Sequence, residues 1–244
     1  MPRGMGRCRV GTSGYQYDHW RGRFYPAGLA KREWFAWYAE RFDSVEINNT
    51  FYRLPEASTF DAWRKAAPGG FCFALKFSRY GSHLKKLKDP RRSLGTFLRR
   101  ARRLGNRLGP ILVQLPPHWG PDAERLARFL AVASGRERWA VEFREPAWLC
   151  ETIYDVLRDH GAALCVHDLL ESHPREVTAP WVYLRFHGVH YGGSYSRQRL
   201  AAEARRIADH RRSGLDVYAY FNNDRGGHAV RNAADLRRYV EKAS

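Results

Sequence analysis

Eight short apolar runs with strand character, separated by stretches of helical periodicity, restrict this chain more than any other feature. The runs are Cys8–Gly14, the start of the stretch Ser44–Arg53 (SVEINNTFYR), Phe71–Phe77, Ile111–Leu115, Trp139–Phe143, Ala162–Val166, Trp181–Phe186 and Asp216–Phe221. Helical segments are predicted over Lys31–Phe42, Thr59–Ala67, Ser93–Leu104, Asp122–Val132, Ala147–His160, Ser196–Arg212 and His228–Ala243, with Gly and Pro as stops. LLESHPREVTAP, after the sixth run, is too broken for a helix. Strand and helix in alternation call for parallel strands joined by right-handed crossovers, and eight such units close into a (β/α)8 TIM barrel of the α/β class. An open doubly wound sheet is the competing topology, but no G-x-G-x-x-G follows the first run. At 244 residues the expected organisation is one domain over residues 8–243, preceded by a short basic tail at 1–7.

Composition narrows the class. A hydrophobic content of 44% fits a globular protein, and no apolar run approaches the ~18 residues of a membrane span. The basic start MPRGMGR leads directly into a strand with no apolar signal core, so a cytoplasmic, non-membrane protein is expected. Cys8, Cys72, Cys150 and Cys165 form no C-x-x-C pair, which gives zinc or iron–sulfur little support and favours reduced thiols. The net charge of +17 is uneven: from His83 to Arg107 ten Lys and Arg face only Asp89. Such a segment attracts phosphates and makes nucleic acid a candidate partner, although a solvated Arg-rich helix face has the same composition.

The strands also carry polar residues late in their runs, at the end of a barrel where active sites sit. Period-two alternation groups Glu46 with Asn48, Lys76 with Ser78, Glu142 with Arg144, Arg185 with His187, and Tyr220 with Asn222 and Asp224, and it gives Gln114 a matching place. The expectation is one polar cavity. A self-neutralising set of ion pairs is the structural alternative, but buried ion pairs stabilise weakly compared with apolar packing.

The segments GTSGYQYDHWRGRFYP, VEINNTFYRLP, FALKFSRYGSH, GPILVQLPP, AVEFREPAW, YLRFHGVHYGGSYS and YFNNDRGGHAVRNA resemble, in order, the motifs of the YecE-like proteins, the domain of unknown function 72. The resemblance runs from Val10 to about Leu236. It implies a TIM barrel, and it implies no defined catalytic role.

Chemistry must therefore come from the residues. Metal-assisted phosphoester hydrolysis would draw on Glu46, Glu142, Asp168, His187 and Asp224 as ligands for a divalent cation. Glycoside hydrolysis would use Glu46 and Glu142 as a carboxylate pair, and a Schiff base would use Lys76 beside Arg144 and Arg185. A binder without turnover would stack bases on Tyr15, Trp20 and Tyr52, although Trp20, Tyr52 and Trp148 also suit loop packing. His83 and His228 read as surface or helix-start residues. Asn222-Asn223-Asp224, ahead of a helix, reads as a turn whose following amides could meet an anion. The preferred expectation is a phosphoester hydrolase acting on nucleic acid or a nucleotide. Glu46 or Glu142 would activate water or hold a cation, His187 would carry a proton, and Arg144 and Arg185 would meet the phosphoryl charge. Asn48, Tyr52, Lys76, Gln114, Asn222 and Asp224 would complete an anion-preferring substrate site. A sugar-phosphate isomerase or lyase is a further alternative.

Overall fold

The computed structural model describes residues 4–188 and 192–243. The first three residues of the expected basic tail, and residues 189–191 of the YLRFHGVHYGGSYS motif, lie outside the described residues. Eight strands, β1 (Cys8–Thr12), β2 (Ser44–Ile47), β3 (Cys72–Lys76), β4 (Leu108–Gln114), β5 (Trp139–Glu142), β6 (Ala163–His167), β7 (Trp181–Phe186) and β8 (Asp216–Phe221), follow the order β1-β8-β7-β6-β5-β4-β3-β2. Among the described residues eight α-helices follow these strands, α1 (Trp34–Ala39), α2 (Asn49–Tyr52), α3 (Ala57–Ala66), α4 (Pro90–Ala101), α5 (Ala123–Ala133), α6 (Glu151–Asp159), α7 (Arg197–Arg212) and α8 (His228–Ala243), with both α2 and α3 after β2 and none between β6 and β7. This is the (β/α)8 TIM-barrel fold. No helix among the described residues is long and apolar enough to cross a membrane.

The chain divides into two compact units, Met1–Glu46 with His167–Glu171 and Trp181–Ser244, and Ile47–Val166 with Ser172–Pro180. In the first unit β8 lies parallel to both β1 and β7, with Gly11 and Arg185 each in register with Tyr220. An isolated parallel bridge joins Ser13 to Glu46. The aromatic run after β1 is core rather than surface. Trp20 and Tyr25 are buried, and the Tyr25 ring stacks on Trp34 with centroids 4.5 Å apart. Tyr15 is buried too, so neither Tyr15 nor Trp20 can serve as the base platform considered from the sequence.

In the second unit β4 is parallel to β3 and β5, and β5 to β6. Lys76 is in register with Leu112, and Gln114 with Glu142. Since Leu112 and Gln114 are two residues apart, Lys76, Gln114 and Glu142 share one face. β4 begins at Leu108, three residues before the expected start. Gly109-Pro110 is an irregularity inside the strand, where the β3–β4 register shifts, and not a terminator. Proline, which cannot donate to a ladder, is tolerated at such a bulge.

Several other boundaries shift, and two of the shifts have a definite physical reason. β2 stops at Ile47, because Asn48 has helical angles (φ −94°, ψ −22°) and caps the one-turn helix α2. The alternation that aligned Asn48 with Glu46 therefore ends before Asn48. α4 starts at Pro90 rather than Ser93, since proline suits the first helical position.

Candidate functional site

In the first unit the centre is Glu46. Its neighbours Val45 and Ile47 enter the apolar core, and strand alternation turns Glu46 the other way, with no solvent exposure. The carboxylate accepts hydrogen bonds from the Ser13 hydroxyl, from Tyr183 Oη at 2.6 Å and from Arg185 Nη2 at 2.8 Å. Arg185 Nη2 also donates to Ser13 Oγ at 3.2 Å, closing the ring of contacts. Burial alone would raise the carboxyl's pKa. The Arg185 charge, with the hydrogen bonds from Ser13, Tyr183 and Arg185, outweighs that and leaves it below its ordinary value. Burial, with Glu46 beside it, pushes the Tyr183 phenol well above its usual range, so it stays protonated as a donor.

His187 lies two residues beyond Arg185, with its Nε2 3.5 Å from Arg185 Nη1 and its Nδ1 3.1 Å from the Asn222 amide nitrogen. Gly188 has φ +70°, and a Cβ there would stand 2.4 Å from the Gly192 carbonyl oxygen. Asp168 accepts from the His187 backbone N–H at 2.8 Å, from Arg199 Nη2 at 3.1 Å and from the Tyr195 hydroxyl. It clamps the end of β7 to the start of α7. Asp224 tethers the segment after β1: its carbonyl oxygen is 2.9 Å from His19 Nε2, and its carboxylate is 3.4 Å from the same nitrogen.

The second unit gathers a different set. Glu142, also without exposure, is paired by Arg144 Nε, and its Oε2 lies 3.7 Å from the Cys165 thiol. Lys76 is nearly buried, with Nζ 4.1 Å from the centre of the Phe51 ring. Past β3 the chain makes a wide helical turn, Tyr80–Leu84, of the i to i+5 kind that recurs at functional sites. Gly81 is required there, since a Cβ would stand 2.4 Å from the Phe77 ring. This turn presents His83, whose ring meets the edge of Phe51 at 4.9 Å. Burial first, then the charges of Lys76, Arg79 and Arg144, push the His83 imidazole down to about 4, against an opposing effect of Glu142. The Ser82 hydroxyl donates to the Ser78 carbonyl at 2.9 Å and lies 3.0 Å from His83 Nδ1. With the hydroxyl proton so committed, Nδ1–H donates to Ser82 and Nε2 carries the lone pair. Tyr52, edge-on to Phe51 at 5.0 Å, is 77% exposed, unlike the fully buried Trp20 and Trp148.

Of the residues expected from the sequence, the first unit therefore brings Glu46, Arg185, His187 and Asn222 into one run of neighbouring side chains. The second places Lys76, Gln114 and Glu142 on one sheet face, with Arg144 on Glu142. His83, expected at the surface or at a helix start, lies within the helical turn Tyr80–Leu84 and is half-buried among cations. The signal for it in the sequence was FALKFSRYGSH, a glycine turn carrying His83 seven residues after Lys76. Among the described residues no group of three or more His, Cys, Asp and Glu side chains is placed to hold a metal ion.

A sequence model described as "Protein of unknown function DUF72" matches residues 9–244. The chain belongs to the DUF72 family. A DUF72 family protein of Thermotoga maritima MSB8 has a crystal structure similar to this one, with a TM-score of 0.86 at 28% identity, over 96% of this chain and 99% of that one. A second DUF72 crystal structure, from Enterococcus faecalis V583, gives a TM-score of 0.80 at 21% identity over 96% and 95% of the two chains, and it speaks for the fold alone. The UPF0759 protein YunF of Bacillus subtilis (strain 168) is 24% identical, over 93% of this chain and 92% of its own length. No specific activity accompanies any of these names, so DUF72 membership leaves the chemistry to the two side-chain clusters.

Proposed function

We propose that this protein is a phosphoester hydrolase acting on nucleic acid or a nucleotide, with its chemistry at Lys76, His83, Glu142 and Arg144. The observation that carries this reading is the excess of cations around an imidazole whose Nε2 lone pair is its outward group. Lys76 and Arg144 are placed to meet non-bridging oxygens of a phosphodiester, and a guanidinium fork suits them. His83 Nε2 takes a proton from water as its oxygen attacks phosphorus. The P–O bond to the leaving group breaks, and the leaving oxygen takes its proton from solvent. Glu142 orients Arg144. Tyr52 offers a face for a base. Glu46, Arg185 and His187 brace the first unit in this reading.

Labelled single- and double-stranded DNA and RNA, incubated with the protein and with His83→Asn and Arg144→Ala, test it. Loss of cleavage by about 10²-fold or more in both variants is expected, as is a rate that rises through pH 4 and is flat at neutrality. Cleavage undiminished in His83→Asn would refute the assignment. The exposed Tyr52 also suits a nucleic-acid-binding protein without turnover, for which salt-sensitive binding and no cleavage is the outcome.

A further inference from the structure

The basic segment that stood out in the sequence builds a groove. It has a volume of about 780 Å³, and its polar wall is Lys88, Arg91, Arg92, Arg125 and Arg128 against the single acid Asp89. Leu87, Pro90, Ala131 and Val132 supply an apolar floor. Arg125 and Arg128 are engaged by Asp122 and Glu124 of their own helix region. Lys88, Arg91 and Arg92 are exposed, and none has an ion pair among the described residues. Three unneutralised cations on one wall, over apolar surface, suit a ligand that alternates phosphates with sugars and bases.

The backbone of this wall is unusual. Lys86, Leu87 and Asp89 all have positive φ (45°, 63° and 48°), a conformation that non-glycine residues hold only where their surroundings impose it. Leu87 is 2% exposed, and Lys86 Nζ lies 5.9 Å from the Trp119 ring centre. Arg125 faces the same ring at 5.6 Å, so Trp119 ties the loop to the other wall. No side chain caps the twelve-residue helix α4, whose first turn carries Arg91 and Arg92.

We propose that this groove is a docking track for single-stranded nucleic acid, with Lys88, Arg91 and Arg92 on consecutive phosphates. A cavity of this size accepts an object of small-ligand cross-section and excludes a duplex. The proposal rests on the hydrolase reading only for what the strand is brought for. It names the substrate class of that reading, and its cations are other than those assigned to bond cleavage.

The test is binding of a fluorescent single-stranded oligonucleotide across a salt series, with Lys88→Ala/Arg91→Ala/Arg92→Ala and a charge-matched control, Arg205→Ala/Arg212→Ala/Lys242→Ala. Turnover of bis(4-nitrophenyl) phosphate is followed in parallel. The groove variant should lose affinity tenfold or more, and the slope of log K against log salt should fall by about 2, since each phosphate contact contributes about 0.7. The control should change less than twofold, and Lys88→Arg/Arg91→Lys/Arg92→Lys should restore binding. Equal weakening in both triple variants, or undiminished binding in the groove variant, overturns the proposal. Groove-dependent binding without turnover of the small diester by the unmodified protein supports the track and overturns hydrolysis instead.

Discussion

Glu46 and Glu142 occupy the same kind of position, late in a strand, without exposure and against an arginine, and their surroundings use them in opposite ways. Around Glu46 three donors, from Ser13, Tyr183 and Arg185, meet one carboxylate. Glu142 is paired by Arg144, and beyond that pair the half-exposed His83 feels the charges of Lys76, Arg79 and Arg144 against Glu142 alone. The first arrangement is closed, a fully buried carboxylate facing a buried guanidinium and two hydroxyl donors. The second is open, since Arg79 is exposed and Arg144 and His83 are only part-buried, within reach of an anion from outside. A buried carboxylate in a strand is therefore no guide to chemistry until its donors are counted.

The largest effect should come from breaking the closed cluster. Glu46→Gln leaves the Arg185 guanidinium buried without its counter-charge and should cost about 3–5 kcal/mol at pH 7, read by urea unfolding. Its acid dependence has a definite sign. A carboxylate whose pKa is lowered by folding contributes stability above its unfolded pKa and loses it as pH falls through the lowered value. The gap between the wild type and Glu46→Gln should therefore narrow toward pH 3, and a gap independent of pH would place Glu46 outside the ion pair described.

A smaller effect is expected in the open cluster, where Lys76→Met removes a charge acting on His83. The His83 pKa should rise from about 4 toward the ordinary histidine value, followed through its imidazole C–H resonances. Folding holds this pKa below 6.5, so the unfolded chain binds the proton more readily between about pH 4 and 6.5, and stability falls as pH drops through that window. Lys76→Met should flatten that slope. An unchanged His83 titration would mean that burial, Arg79 and Arg144 set it without Lys76.

These contrasts divide what was legible in the sequence from what was not. β7, β8 and α8 were readable to the residue, because apolar alternation, polar stops and helical period agree there. Arg185 and Glu46 were legible as polar residues turned to one face of their strands, since an ion among apolar neighbours at period two has a definite direction. Asn48 was misaligned because a one-turn helix replaces the strand after Ile47, and SVEINNTFYR holds no Gly or Pro to announce it. Gly109-Pro110 looked like a stop because a bulge and a loop share those residues. His83 was missed for a different reason. Its character comes from Lys76, Arg79, Arg144 and burial, and Arg144 is sixty-one positions away in the chain, a relation no local pattern records.

The claim that the open cluster, and not the closed one, receives the anion is tested most directly by histidine NMR of the protein titrated with inorganic phosphate. The account predicts that His83 shifts and that its pKa climbs above about 4 as phosphate offsets the surrounding cations, with the response lost in Arg144→Ala and His187 undisturbed. A phosphate response at His187 with His83 unmoved would contradict it.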